Sequence, residues 1–169
     1  MVIWIIGLSG AGKTTLATKV VGLIREKKKN VVLIDGDVIR DIFGGDLGHS
    51  LEDRFKNAER ICQLGKFLES QDIHVVVAIL SLFLESREWN RKNLKNYYEV
   101  FIDTPINDLI KRDSKGLYSK YNRGEIENVA GLDLKFDKPA NADLIISNKG
   151  TNEDLLKYAD QIALKVLSP

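Results

Sequence analysis

The sequence predicts an α/β fold with three layers, in which helices cover both faces of a mostly parallel sheet. Short apolar runs rich in β-branched residues alternate with segments of helical periodicity. The runs are uninterrupted, as is typical of strands that are covered on both faces. Repeated strand–helix–strand units imply a parallel sheet. The runs are VIWII (2–6), VVLID (31–35), IHVVVAIL (73–80), YEVFID (98–103) and DLIIS (143–147).

Helix starts are indicated between these runs. Thr104 followed by proline predicts a capped helix with proline at its first position. Ser50 and Asp53 have the spacing of a capping pair, and Thr151 is expected to cap the last helix. The stretch of about 112–140 is polar, contains glycine and is weakly periodic, which predicts a long functional loop or lid.

Composition limits the functional class. The 169 residues fit one domain, 1–169, and are 44% hydrophobic and 29% charged. A net charge of +1 gives no reason to expect nucleic acid or an anionic membrane as a partner. The apolar stretch 75–84 is too short for a transmembrane helix, and no signal peptide is visible. A single cysteine, Cys62, cannot form an internal disulfide, which favours a reducing compartment and a cytoplasmic location.

The glycine-rich segment after the first run predicts a phosphate-binding loop. Residues 7–14, GLSGAGKT, match G-x-x-x-x-G-K-[ST] between a strand and a helix. Glycines allow backbone N–H groups to surround phosphates, Lys13 is expected to reach the β- and γ-phosphates, and the Thr14 hydroxyl is expected to ligate Mg²⁺. Lys13 is also expected to be exposed in the empty loop.

A hydrolytic switch or motor is disfavoured by two segments. Such proteins usually carry an aspartate at the end of an apolar strand to hold the metal, whereas the run 75–81 ends in serine. A GTPase would also read guanine through N-K-x-D, but Asn148-Lys149 is followed by Gly150-Thr151. The phosphate is therefore expected to pass to an acceptor other than water.

Candidate acceptor-binding residues follow the second run. Asp35 and Asp37 flank a glycine at the carboxyl edge of the predicted sheet, where open α/β sheets bind ligands. Asp37 can accept a proton from an attacking hydroxyl or hold Mg²⁺-bound water, and Arg40 can hold an anionic acceptor. Arg54 and Asn57 share one helix face and suit a phosphate-like group and a ribose or base edge. Taken alone, these residues also fit a solvated turn and a solvated helix face.

Several motifs together resemble the adenylyl-sulfate kinase family, over nearly the whole chain up to Ser147. They are GLSGAGKTT, DGDVIR, LGHSLEDRFKNAER, DTPINDLIKRDSKGLYSKYNRGEIENVAGLD and KFDKPANADLII. The resemblance implies a P-loop kinase fold with a lid, and transfer of the γ-phosphate of MgATP to the ribose 3′-hydroxyl of adenylyl sulfate. A small-molecule nucleotide is then the partner, and the resemblance also suggests a homodimer.

The resemblance assigns roles to residues that match the family motifs. The implied ATP contacts are Gly7, Ser9, Gly10, Ala11, Gly12, Lys13, Thr14 and Thr15. The implied acceptor contacts are Asp37, Arg40, Arg54, Asn57, the lid residues Lys115, Gly116 and Leu117, and Phe136 against the acceptor base. His49 and Phe83 are also expected to contact the acceptor, although both lie in segments that depart from the family motifs. Lys13 and Asp37 are the implied catalytic residues. Ser81 stands where the family is often given a phosphoserine, a step that direct in-line transfer does not need.

The chain departs from the family pattern on the acceptor side. It starts on the first strand, without the family's preceding segment. His49 stands where the family has the aromatic residue of L-G-F-S, and SLFL (81–84) replaces S-P-F-R or S-P-Y-R. Retained ATP chemistry with a changed acceptor is therefore expected.

A divergent branch that resembles the family acts on cytidine diphosphoramidate during capsular polysaccharide synthesis, and the sequence favours this acceptor. The alternatives are an ordinary adenylyl-sulfate kinase of sulfate assimilation and a nucleotide-sensing module without transfer activity.

Overall fold

The protein folds around a five-stranded sheet in which all pairings are parallel. The structure, a computed structural model, describes residues 1–113 and 115–168; Ser114 of the RDSKGLY motif lies outside the described residues. The strands, in the spatial order β2-β3-β1-β4-β5, are β1 (Val2–Ile6), β2 (Val31–Asp35), β3 (His74–Ile79), β4 (Tyr97–Asp103) and β5 (Leu144–Ser147). Each predicted run coincides with a strand to within one residue at either end, and the predicted fold class is confirmed.

Helices connect the strands and cover both faces of the sheet. They are α1 (Lys13–Arg25), α2 (Gly36–Ile42), α3 (Leu51–Ser70), α4 (Leu84–Asn93), α5 (Ile106–Arg112), α6 (Leu117–Asn122), α7 (Asn152–Leu156) and α8 (Ala159–Leu167). Within the described ranges, no helix combines the length and apolar character needed to cross a membrane.

Two of the three predicted caps are present. The Ser50 hydroxyl accepts a hydrogen bond from the backbone N–H of Asp53 at 3.1 Å, and Thr151 forms a capping box with Asp154. The predicted cap at Thr104 is wrong, because α5 begins after Pro105 without a side-chain cap. The helix that Thr151 begins also ends early, and the predicted last helix is two helices, α7 and α8.

The central strand β1 separates two apolar cores. Ile3 and Ile5 pack with residues of α1 and α8 on one face of the sheet, while Val2, Trp4 and Ile6 pack with residues of α3 on the other. All five side chains are fully buried, since successive residues of a strand point to opposite faces and both faces are covered.

The strand order places the loops that build the site. Since all strands run parallel, their carboxyl ends meet at one edge of the sheet, with the phosphate loop after the central β1. The loops after β2 and β3 lie to one side of it, and those after β4 and β5 lie to the other. At a strand spacing of about 4.8 Å, the edge from β2 to β5 is roughly 19 Å long.

Candidate active site

A cleft of about 1100 Å³ follows this edge of the sheet. Its lining comes from the phosphate loop, α2, the first half of α3, the end of β3 with the loop that follows it (78–83), the lid and the loop after β5. Among the predicted site residues, the cleft is lined by Ser9, Gly10, Gly12, Lys13, Thr14, Thr15, Asp37, Arg40, His49, Arg54, Asn57, Ser81, Phe83, Lys115 and Leu117. The folded chain thus brings both predicted groups, for ATP and for the acceptor, into one cavity.

Tight packing fixes the shape of the phosphate loop. Gly12 has a left-handed φ of 95°, and a Cβ atom there would collide with the side chain of Leu155. The Tyr118 hydroxyl of the lid helix α6 donates a hydrogen bond to the Ser9 carbonyl at 2.9 Å. Gly7 and Ala11 do not line the cleft. A Cβ atom at Gly7 would lie 3.1 Å from the Ile102 carbonyl oxygen and 3.2 Å from the Ala11 Cβ, so glycine there allows the loop to pack closely against β4.

Lys13 is half-buried, which corrects the expectation that it is exposed in the loop. Its ammonium donates a hydrogen bond to the Leu8 carbonyl at 2.9 Å. Burial lowers the pKa of Lys13 to about 8, with a further decrease from the positive charge of Lys115, while Asp37 and Asp35 oppose the shift. The lysine is therefore protonated at neutral pH but loses its proton in mildly alkaline solution.

This lowered pKa makes nucleotide affinity depend on pH. Phosphates beside the ammonium raise the pKa of Lys13 when the nucleotide binds. The affinity for the nucleotide is therefore highest below about pH 8, where Lys13 of the free protein is protonated, and it decreases as the pH rises through this pKa. The dissociation constant of a non-hydrolysable ATP analogue should rise about tenfold per pH unit above that point. Calorimetry between pH 7 and 9.5 measures it, with Lys13→Arg as the control, because arginine stays protonated throughout. A flat profile in the wild-type protein would contradict this role of Lys13.

Asp35 connects the phosphate loop to α2. Its carboxylate accepts a hydrogen bond from the Thr14 hydroxyl at 2.7 Å and another from the Asp37 backbone N–H at 2.9 Å. The two oxygens of one side chain therefore set both the first turn of α1 and the first turn of α2. Carboxylate oxygens of this kind also suit a divalent cation.

Asp37 places a carboxylate in the cleft next to cations of α2 and of the lid. Its carboxylate forms ion pairs with Arg40 at 3.3 Å and with Lys115 of the lid at 3.1 Å. Partial burial raises the pKa of Asp37, but the hydrogen bond and charge of Lys115, with the charge of Arg40, outweigh it, so the pKa is lowered overall. Asp37 is thus ionised at neutral pH and available as a hydrogen-bond acceptor.

One guanidinium group joins two segments of the acceptor side. Arg54 donates to the His49 carbonyl at 2.9 Å and to the Asn128 carbonyl at 3.2 Å. Partial burial and the charges of Arg40 and Arg54 lower the pKa of His49, so its imidazole is neutral at pH 7. Asn57 is buried and donates to the Gly36 carbonyl at 3.1 Å. Its Oδ1 atom has no partner among the described residues, which leaves an acceptor for a ligand at the cleft.

Ser81 lies at the cleft but is almost fully buried. Its side chain accepts a hydrogen bond from the Trp4 indole N–H at 3.2 Å, and its backbone has a left-handed φ of 53°. This contact ties the loop after β3 to the core. A phosphoserine role for Ser81 stays a prediction.

Phe136 is partly buried and packs against the apolar core, where its ring centroid lies 6.0 Å from that of Phe101. It is not among the residues that line the cleft, and its stacking on an acceptor base stays a prediction. Gly116 also lies outside the lining, where its left-handed φ of 64° begins α6. Phe83 does line the cleft and meets Phe55 edge to face at 5.1 Å, so it remains an aromatic surface for an acceptor base.

Sequence reasoning did not single out several lining residues. They include Arg112, Lys120 and the segment 126–130, which lie within the predicted lid, and the segment 150–152. The strand order would have placed 150–152 at the site, since this segment follows a strand at the same edge. The segment 126–130 has neither periodicity nor a charge pattern that singles it out.

A nucleotide-sized cleft centred on a phosphate loop, with a lid that contacts the loop, defines a P-loop kinase. The family model described as Adenylylsulphate kinase matches residues 1–147. The chain belongs to the adenylyl-sulfate kinase family and is an ATP-dependent phosphotransferase. Its relatives are kinases, which removes the support for a nucleotide-sensing module without transfer activity.

Two relatives carry different acceptor names. The chain is 42% identical to the cytidine diphosphoramidate kinase of Campylobacter jejuni over 151 residues, covering 89% of this chain and 88% of that protein. It is 40% identical to an adenylyl-sulfate kinase of Pseudomonas aeruginosa over 156 residues, covering 91% and 80%. The sequence identities therefore show that the chain is a kinase of this family, but they are too similar to show which of the two acceptors it uses.

Solved structures agree with the fold. The Mycobacterium tuberculosis APS kinase CysC, solved with AMPPNP and APS (adenylyl sulfate), superposes with a TM-score of 0.88 at 33% identity, covering 99% of this chain and 97% of that one. A hexameric APS kinase from Thiobacillus denitrificans matches with a TM-score of 0.69 at 22% identity, which shows the shared fold alone.

Proposed function

We propose that this kinase phosphorylates the ribose 3′-hydroxyl of a nucleotide conjugate, and that cytidine diphosphoramidate is its acceptor. The observation that carries the proposal is the acceptor side of the cleft, where neutral His49 lies near the cationic Arg40 and Arg54. The two arginines suit an anionic 5′ head group. The imidazole suits hydrogen bonding to a base edge.

ATP is proposed to occupy the half of the cleft from the phosphate loop towards β5. Its phosphates then meet Lys13 and the loop N–H groups at the start of α1, where the helix dipole favours negative charge. Its base reaches Arg112 and the loop after β5, which are joined by a hydrogen bond of 2.9 Å from Arg112 to the Gly150 carbonyl. This leaves the loops after β2 and β3 for the acceptor.

Phosphoryl transfer then follows from the placement of Asp37. The acceptor 3′-oxygen forms a bond to the γ-phosphorus of ATP, the bond to the β–γ bridging oxygen breaks, and ADP leaves. Asp37 accepts a hydrogen bond from the 3′-hydroxyl and takes its proton as the new bond forms. Lys115 and Leu117 of the lid cover the site, because exposure to water would waste ATP by hydrolysis.

The residues beside the phosphate loop fit Mg²⁺. Within residues 1–113 and 115–168, no three His, Cys, Asp or Glu side chains cluster as a closed metal site. Mg²⁺ usually takes only one or two protein ligands besides phosphates and water. Thr14 would hold it, with the Asp35 carboxylate beside the threonine hydroxyl. The cation would neutralise charge on the phosphates.

The acceptor base is proposed to be a pyrimidine. His49 offers no six-membered aromatic ring for stacking, and the partly buried Phe136 packs against Phe101 without lining the cleft. Loss of a stacking partner costs on the order of 1–3 kcal/mol per base, and adenine, the larger ring system, should lose most. A neutral imidazole can instead hydrogen-bond a pyrimidine edge, and such a site rejects bases that lack the matching groups.

A competition assay tests the acceptor. With MgATP and equal concentrations of cytidine diphosphoramidate and adenylyl sulfate, product masses should show a preference for the cytidine conjugate. His49→Phe should reduce the ratio of cytidine product to adenylyl-sulfate product by roughly tenfold to a hundredfold, since the phenylalanine ring restores a stacking surface for adenine. His74→Phe is the matched control, because His74 begins β3 and does not line the cleft. Efficient phosphorylation of adenylyl sulfate with no turnover of any cytidine conjugate would overturn the proposal.

Adenylyl sulfate remains the second candidate, favoured by the relative from Pseudomonas aeruginosa and by the superposition on the Mycobacterium tuberculosis structure. With the cytidine conjugate as acceptor, the resemblance further suggests a role in capsular polysaccharide modification, in the cytoplasm, as a homodimer. Sedimentation of the purified protein measures the last of these.

A further inference from the structure

A rigid loop presents Asn128 to the acceptor side of the cleft. The Asp133 carboxylate accepts hydrogen bonds from the backbone N–H groups of Asn128 at 2.8 Å and of Val129 at 2.7 Å. The Leu134 N–H and carbonyl close the loop with the Val129 carbonyl at 3.2 Å and the Gly131 N–H at 2.8 Å. The backbone at Asn128 is therefore held from both sides.

Arg54 fixes this loop relative to His49. The Asn128 carbonyl accepts from the Arg54 guanidinium at 3.2 Å, and the same guanidinium donates to the His49 carbonyl at 2.9 Å. The two residues thus share one rigid planar group, and both line the cleft. Arg54 therefore links the backbones of His49 and Asn128 on the acceptor side of the cleft.

The side chain at this position is free to bind a ligand. Asn128 has a left-handed φ of 61°, a conformation that glycine adopts at the lowest cost. The residue is exposed, and within residues 1–113 and 115–168 its amide group has no hydrogen-bond partner. Asn128 takes part in the contacts of the loop only through its backbone N–H and carbonyl, so its amide is not needed to maintain the loop.

We propose that Asn128 is a specificity-determining residue of the acceptor site, whose amide hydrogen-bonds the edge of the acceptor nucleobase. The inference rests on the function proposed above and deepens it. An asparagine amide carries an acceptor and donors side by side, and a cytosine edge presents an amino donor next to a ring-nitrogen acceptor. His49 and Asn128 then read the base together, from two segments that Arg54 joins.

The simpler explanation is that asparagine stands at residue 128 because it tolerates a left-handed backbone. Asn128→Gly separates the two explanations. Glycine keeps the backbone conformation without strain and removes only the amide. Asp72→Gly is the matched control, because Asp72 has a similar φ of 58° in the turn after α3 and does not line the cleft.

The experiment compares wild-type protein, Asn128→Gly and Asp72→Gly with cytidine diphosphoramidate, its uridine analogue and adenylyl sulfate as acceptors. In Asn128→Gly the kcat/KM for the preferred acceptor should decrease by about tenfold to a hundredfold, mainly through KM, and preference among the bases should shrink. The KM for ATP and the melting temperature should match those of wild type. Asp72→Gly should keep the wild-type base preference.

Two outcomes would contradict the inference, and they can be distinguished by whether the wild-type protein phosphorylates nucleotide conjugates. If the wild-type protein phosphorylates nucleotide conjugates but Asn128→Gly keeps the same base preference, the role of Asn128 is overturned while the proposed function stands. If the wild-type protein phosphorylates no nucleotide conjugate, the proposed function fails and the inference fails with it.

Discussion

Replacement of Lys13 by alanine is expected to abolish phosphoryl transfer while the fold survives. The ammonium lies in the phosphate loop at the start of α1, where negative charge develops on the transferring group. Removal of one such stabilising group typically costs about 10²–10³-fold in kcat. The loss here should reach the upper end of that range, because Lys13 is held in place by the Leu8 carbonyl at 2.9 Å.

The fold should be unaffected by this change. Lys13 contacts the backbone through one hydrogen bond and does not belong to either apolar core. Its desolvated charge is an unfavourable contribution, as the pKa lowered to about 8 shows. Lys19→Ala is the matched control, since Lys19 is exposed on the same helix and outside the cleft. Near-normal kcat in Lys13→Ala, with an unchanged melting temperature, would contradict the assigned role.

The sheet and the phosphate loop were predictable because each has a local signature. Val2–Ile6 and His74–Ile79 are short, continuous apolar stretches, which is the pattern expected of strands that are covered on both faces. The spacing from Gly7 to Thr14 encodes the loop, since turns with left-handed glycines need those residues in that order. The cap at Ser50 depends on Asp53, three residues further on, and this predicted pair is present.

The acceptor side was less predictable because it is built from contacts between distant segments. Arg54 reaches Asn128 across 74 positions of the chain, and Lys115 reaches Asp37 across 78. A motif gives no measure of such distances. Phe136 illustrates the difficulty, because an aromatic residue near a predicted lid suits both base stacking and core packing, and its contact with Phe101 across 35 positions of the chain is not encoded in a local motif.

Replacement of Asp37 by asparagine should lower kcat by at least about 10²-fold and change ATP affinity little. Positioning and general-base effects are each typically worth about 10²-fold or more. Asparagine preserves the size of the side chain and one acceptor oxygen, but it loses the charge that orients Arg40 and Lys115. Stability should be nearly unchanged, because the Lys115 and Asp37 side chains are 63% and 66% exposed and exposed ion pairs contribute little.

The matched control is Asp41→Asn. Asp41 is also on α2 and at the cleft, but the described part of the chain gives it no ion pair with the lid. Single-turnover rates and the affinity for a non-hydrolysable ATP analogue should separate the two variants. The rate should decrease in Asp37→Asn alone, since only Asp37 combines a lowered pKa with contact to both Arg40 and Lys115. An Asp37→Asn variant that merely binds ATP more weakly, with a normal single-turnover rate at saturation, would make Asp37 a metal ligand with no part in positioning the acceptor.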